Sequence, residues 1–421
     1  MIADSRRNFW LLFFICNSIV LQMLLGQADV VAQFSRIYWL LVLPAILIPL
    51  MFLPGIITVL GGRARFLFYF LIFAGAFHLI RGDFRTVMQL FLLILVLAWC
   101  ACKSTRLSTD DVIRIFFASI ILGILVFRFT DCNFWGLLPS ATPSEYGGWR
   151  ISYFPNIANT GTMALFVFLL LTREFSIARS HKFALFVCLY FLVFSFVRAV
   201  FIAAGLYLLL RFVFSGSRGK GPKFLFWVSL GTGVGFIMAV AYIVPILEVL
   251  QQFPVLSRLL LRGEVELDAA AIYQQLYRPW VWSEHFQMFV SSPGWMGLGT
   301  FNFSEHVSYD LVPGLPADGA ESLPTRLLAV YGLPSLFFAG YLVRELARLA
   351  RARDAWGCAC FPGILFMLTN WGSVFHPTNA FFVLFFMVLT RGASALSDER
   401  VESKTVHSPP QPQLAARPSG S

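Results

Sequence analysis

The chain has 421 residues, of which 58% are hydrophobic and 16% aromatic; only 13% are charged, and the mean hydropathy is +0.74. Soluble proteins carry about a quarter of charged residues, so composition excludes an ordinary soluble domain. The formal charge of +10 does not point to nucleic acid, because the cations sort by loop as they do in a multi-pass membrane protein.

The first apolar run, FWLLFFICNSIVLQMLLG, follows Arg6 and Arg7 and lacks a small-residue cleavage site, so it reads as a retained first span. Apolar runs recur to the end of the chain. They give about twelve candidate spans, near 9–27, 38–60, 66–80, 87–102, 112–129, 157–172, 183–197, 199–214, 224–247, 323–343, 359–375 and 378–390. The fold class expected is an all-α polytopic membrane protein. With the N-terminus inside, all five lysines (Lys103, Lys182, Lys220, Lys223 and Lys404) fall on the inner side, as do the basic loops GGRAR and SGSRGKGPK. Both termini are then cytoplasmic. The segment 183–214 is decisive for this parity. As one helix it measures about 48 Å, too long for a hydrocarbon core of about 30 Å, so a hairpin is expected at Arg198.

Two outer segments are longer than the rest. One, 130–156, contains Trp135, Trp149 and Arg150. The other runs from about Glu248 to Ser322 between spans nine and ten, and at roughly 75 residues it exceeds ordinary loops. It shows helical patterning. PVLSRLLLRG sets Arg258 and Arg262 four apart on one helix face. AAAIYQQLY and WVWSEHFQMFV flank Pro279 and read as helices along the outer interface. SSPGWMGLGTFNF is a Gly-rich turn without the preceding strand of a nucleotide site. AESLPTRLLAVYGL then opens the tenth span, carrying Glu321 and Arg326 near its start. From Asp398 the chain is polar and Pro/Ser-rich, so 1–397 reads as one transmembrane domain and 398–421 as a disordered tail. Only Cys132 maps outside, which leaves no disulfide framework; Cys100, Cys102, Cys358 and Cys360 read as small packing residues.

Every cation that this map leaves on the outer side is arginine: Arg36, Arg81, Arg85, Arg128, Arg150, Arg198, Arg258, Arg262, Arg278 and Arg326. Arginine stays charged, and its planar fork pairs with phosphate oxygens. A phosphorylated lipid head group is the ligand class this suggests. Interface anchoring and pairing with outer acids are the plainer alternative. Arg198, in the hairpin FSFVRAVF, and Arg278, in YRPWVWSE, are the leading ligand candidates.

Three of these segments resemble the bacterial O-antigen ligase and polymerase superfamily. SFVR, from Ser195 to Arg198, is similar to its Ser-x-x-Arg turn between two spans. YRPWVWSEHFQMFVSSPGWMGLGTFNF resembles its loop segment, in which an arginine opens an amphipathic helix leading to a Gly-rich turn. AESLPTRLLAVYGLPSLFF resembles its last loop motif, entering the tenth span. The resemblance implies transfer of a glycan from an undecaprenyl-pyrophosphate carrier to an acceptor hydroxyl at the periplasmic face of the inner membrane, without metal, nucleotide or other cofactor. It implies that Arg198 and Arg278 contact the pyrophosphate; Arg150, Arg258, Arg262, Arg326 and His376 are this reading's further candidate substrate contacts. The ligases carry a histidine near the start of the last motif, where this chain has Glu321. That departure favours the polymerase branch, with Glu321 activating or orienting the acceptor hydroxyl. His285, His306 and His376 are the alternative bases. The partners expected are the lipid-linked donor and acceptor oligosaccharides, membrane lipid and a chain-length regulator. The alternatives are a ligase acting on lipid A-core or protein and, in another class, a lipid-linked sugar flippase.

Overall fold

The computed structural model describes residues 2–24, 34–102, 106–130, 151–154, 157–216, 224, 226–231, 252–253, 285–299, 322–370 and 376–397. Its helices in chain order are α1 (Ile2–Leu24), α2 (Phe34–Leu50), α3 (Leu53–Gly61), α4 (Arg65–Ile80), α5 (Phe84–Ala101), α6 (Thr109–Thr130), α7 (Ile157–Leu171), α8 (Phe175–Ser180), α9 (Lys182–Phe194) and α10 (Arg198–Gly216). After them come a short helical stretch over 226–231 and then α11 (285–291), α12 (Leu323–Tyr331), α13 (Leu336–Arg351), α14 (Ala355–Asn370) and α15 (Ala380–Arg391). The fold is all-α. The one strand pairing among the described residues joins β1 (Leu107–Ser108) to β2 (Leu396–Ser397), in parallel.

Burial sorts the helices into two layers. The middle and last turns of α5, and nearly all of α7, α14 and α15, are buried around their circumference. A helix that is apolar all round belongs at a centre. Around them, α1 to α4, α9 and α10 turn large apolar side chains outward: Phe9, Leu40, Ile80, Phe183, Phe186 and Phe212 are all exposed. Among the described residues Phe84–Ala101 is long and apolar enough to cross a membrane, and the bent pair α2–α3 adds a second candidate if counted as one span. Shorter apolar helices of 10–17 residues make up much of the remainder.

Each apolar segment of the sequence that falls on described residues is helical, but two of the expected spans are broken. The segment 38–60 bends by 78° between Val42–Leu50 and Leu53–Gly61. Pro54 has no N–H to give the Leu50 carbonyl, and its ring crowds that carbonyl, so the helix restarts with Pro54 in its first turn. The segment 323–343 is likewise two helices, α12 and α13, separated by Gly332 at φ 63° and a single 3-10 turn over Leu333–Ser335. The rings of Tyr331 and Phe337 lie against the same stretch of α4: Tyr331 on Phe70 and His78, Phe337 on Tyr69 and Phe73. The continuous helix begins only at Leu336. The candidate span 224–247 and the tail 398–421 lie largely or wholly outside the described residues.

The expected hairpin at Arg198 is present. α9 ends at Phe194, Phe196 takes the left-handed conformation (φ 49°), and Arg198 is the first residue of α10. Two arms of one hairpin here choose different partners: α9 packs mainly on α7, and α10 on α14. Gly363 makes the second contact possible, because a Cβ there would stand 2.7 Å from the Ala203 carbonyl. Small residues at such a crossing let two helix backbones approach closely. Within α14, Pro362 leaves the Cys358 carbonyl without its helical donor, and the Ser229 hydroxyl donates to it at 3.3 Å.

One end of the bundle is tied by charge. Glu345 of α13 is fully buried and accepts from Arg63 Nη2 at 2.6 Å and from Arg348 Nε at 2.8 Å. Both guanidinium groups also donate to the Thr390 carbonyl near the end of α15. Arg391 donates to the Cys102 carbonyl at 2.8 Å. Asp354 accepts from the N–H groups of Gly357 at 2.8 Å and Ala393 at 2.7 Å. The cysteines pack as expected: Cys100 and Cys102 are buried, their thiols donating to the carbonyls of Val383 and Ala98.

Candidate functional site

The opposite end of the bundle gathers histidine and arginine. Ser322 caps α12, its Oγ accepting from the Thr325 N–H at 3.4 Å, and Pro324 pre-sets the first turn. This start fixes the register in which Thr325 and Arg326 leave the helix. Thr325 Oγ1 lies 2.9 Å from Nδ1 of His285, the first described residue of α11. His285 is fully buried and Arg326 partly so. His376 reaches the same place from the connection between α14 and α15. Its Nδ1 stands 2.8 Å from Thr378 Oγ1 and accepts from the Thr378 N–H at 3.4 Å. The Ser18 hydroxyl of α1 donates to the Thr378 carbonyl at 2.9 Å, and Asn379 caps α15 by accepting the Phe381 N–H at 2.8 Å.

Electrostatics tie the three together. Burial first, and the Arg326 charge second, push His285 down to about 4 and His376 down to about 4. One guanidinium therefore acts on both imidazoles, and both rings are neutral at physiological pH. With the Thr378 N–H directed at Nδ1, the proton of neutral His376 belongs on Nε2, which makes that nitrogen a hydrogen-bond donor. A fixed cation, a neutral imidazole able to accept a proton and a second able to donate one form a set suited to an anionic ligand and a hydroxyl.

Arg198 lies at this end too. α10 and α14 run antiparallel: Ala203 faces Gly363, and one turn further on Tyr207 lies beside Cys360 and Trp356. Arg198 is accordingly level with the Asn370 end of α14, from which the chain runs on to His376. Ser195, at the end of α9, packs under the hairpin, where a Cβ on Gly161 would lie 3.1 Å from its Oγ.

The structure thus brings Arg326, His285 and His376 into one electrostatic neighbourhood and sets Arg198 at the same end. Glu321, Arg278, Arg150, Arg258, Arg262 and His306 lie outside the described residues. Thr325 is a site residue that sequence reasoning missed; its only signal is the Ser-x-x-Thr cap spacing. The Gly-rich turn and the last motif, linked in sequence only by resemblance, are in contact: the Leu298 and Gly299 N–H groups donate to the Ala329 and Val330 carbonyls at 2.9 and 3.0 Å. Among the described residues no three His, Cys, Asp or Glu side chains form a metal-holding group. No family model, no curated protein and no solved structure matches the chain.

Proposed function

We propose that this is a polytopic inner-membrane glycosyltransferase, with about twelve spans and cytoplasmic termini, that joins undecaprenyl-pyrophosphate-linked oligosaccharide repeats at the periplasmic face. The membrane reading is supported by the apolar side chains that the outer helices turn away from the core, a surface that water disfavours at about 25 cal/mol per Å². The observation that carries the activity is Arg326 set among two neutral histidines, in the motif the family resemblance ties to the reaction and at the end of the bundle that holds Arg198.

The chemistry follows from charge. Breaking the sugar C1–O bond leaves negative charge on the pyrophosphate, and fixed guanidinium groups stabilise it as it forms. Pyrophosphate departs readily and needs little protonation. The acceptor hydroxyl must lose its proton as it attacks C1, and a neutral imidazole within hydrogen-bond reach takes it. A donor pyrophosphate beside Arg326 also offsets the charge that depresses both histidines, so donor binding strengthens the base. Arg198, Arg278 and Arg326 are assigned to the donor, His376 Nε2–H to a phosphate oxygen, and His285 or Glu321 to the acceptor hydroxyl. No cofactor takes part in this scheme.

The two histidines also favour a second reading. A ligase that moves finished glycan to lipid A-core or protein calls for an imidazole in this motif, and His285 supplies one from the neighbouring segment. Replacing Arg198 and Arg278 by alanine and Glu321 by glutamine tests the assignment through the cellular polysaccharide ladder. Normal long chains in all three variants at unchanged protein level count against it. Supplying carrier-linked repeat without a core acceptor separates the readings, since only a polymerase lengthens it.

A further inference from the structure

The end of α12 holds acceptors that its own helix does not satisfy. Pro334 has no N–H to return to the Val330 carbonyl, and the backbone turns away at Gly332. The turn at Pro293–Gly299 supplies the donors, from Leu298 and Gly299. On its other side that turn is gripped by the corner between α4 and α5. The Thr86 hydroxyl donates to the Gly299 carbonyl, and the Tyr331 hydroxyl to the Thr86 carbonyl at 3.2 Å. His78 Nδ1 and Asp83 Oδ2 stand 3.3 Å apart. A Cβ on Gly299 would lie 2.7 Å from the first and 2.6 Å from the second, at a φ of +72° that already favours glycine.

This grip has leverage on the site. α11 leads straight into the turn: the Ser292 N–H donates to the Phe289 carbonyl at 3.1 Å, and the Ser292 Oγ accepts from the Gly297 N–H at 3.0 Å. His285 sits about 10 Å up the helix from Ser292, so a tilt of about 10° there displaces its ring by roughly 2 Å. A displacement of about 1 Å is enough to lower a rate roughly a hundredfold.

We propose that His78, Asp83 and Thr86 are positioning residues that clamp the Gly297–Gly299 turn onto the end of α12 and so fix where His285 stands against Thr325 and Arg326. The clamp stands on geometry alone; its catalytic consequence rests on the glycan-transfer reading.

The test uses the full chain in lipid nanodiscs, comparing wild type with Thr86→Val, Thr86→Ser and Gly299→Ala. Two quantities are read: backbone hydrogen exchange over 285–299, and elongation of undecaprenyl-pyrophosphate-linked repeat. Thr86→Val and Gly299→Ala are expected to speed exchange over 285–299 about tenfold while α14 stays protected. Turnover falls about ten- to a hundredfold at unchanged KM, and Thr86→Ser restores both. Unchanged exchange in Thr86→Val overturns the clamp. Faster exchange with unaltered turnover overturns the positioning role. If wild type does not elongate the repeat, the transfer reading fails, and exchange over 285–299 alone decides the clamp. Should Gly299→Ala not fold, Thr86→Val carries the test, because it removes the hydroxyl at nearly constant volume.

Discussion

A guanidinium facing two imidazoles lowers the proton affinity of both, and burial lowers it further. Arg326→Ala is therefore expected to raise the pKa of His285 and of His376 while leaving both below the ordinary value of 6.5, because burial is the larger cause. Histidine-selective NMR titration reads this; unmoved titrations contradict the proximity. The same shifts set a pH dependence. Each histidine is neutral in the fold and binds a proton more readily when unfolded, so the unfolded state holds more protons as the pH drops. Stability is full above about 6.5 and declines down to about 4, where both states are protonated. Thermal melts across that window are expected to show a falling Tm, with a smaller fall in His285→Gln. At this scale Arg326, His285 and His376 were legible as outer-facing candidates, and Arg198 as a turn residue. Thr325 was not, because its role depends on a helix from a distant segment. Nor was the grip of His78 and Asp83 on Gly299, since nothing in either local pattern specifies the other.

Single side chains also decide how the helices meet. Glu345 is buried between Arg63 and Arg348. Removing one partner of a buried pair leaves uncompensated charge at a cost of about 3–5 kcal/mol, so Glu345→Ala is expected to lower the melting temperature in detergent markedly. A melt unchanged from wild type contradicts the buried pairing. Gly363→Leu forces a side chain into the Ala203 carbonyl and is expected to destabilise by about 1–3 kcal/mol, as read by the same melts. It also separates α10 from α14, shifting Arg198 relative to the other site residues. The breaks at Pro54 and Pro334 were visible as prolines, yet hydropathy averaged over a span-length window reads straight across them. The helices themselves were legible because apolar runs of span length declare themselves. Which neighbour each helix takes was not, because near-uniform Phe, Leu, Val and Ile faces carry no directional pattern. In the α9–α10 hairpin, Gly363 lets α10 approach α14 closely, while Gly161 of α7 lies under the turn against Ser195, Val197 and Val200.

Among the described residues, bonded charged groups gather at both ends of the molecule. Glu345, Arg63, Arg348, Asp354 and Arg391 tie one end together. At the other, Arg326, His285 and His376 leave a positive, proton-accepting neighbourhood beside the Gly-rich turn and level with Arg198. The most direct measurement is elongation of purified undecaprenyl-pyrophosphate-linked repeat by the purified chain in nanodiscs, with no other protein present. Wild type is expected to lengthen the repeat, and Arg326→Ala and Arg198→Ala are each expected to slow it about a hundredfold or more with the fold intact. A repeat left unextended by wild type, or extended equally well by both variants, would contradict the glycan-transfer reading.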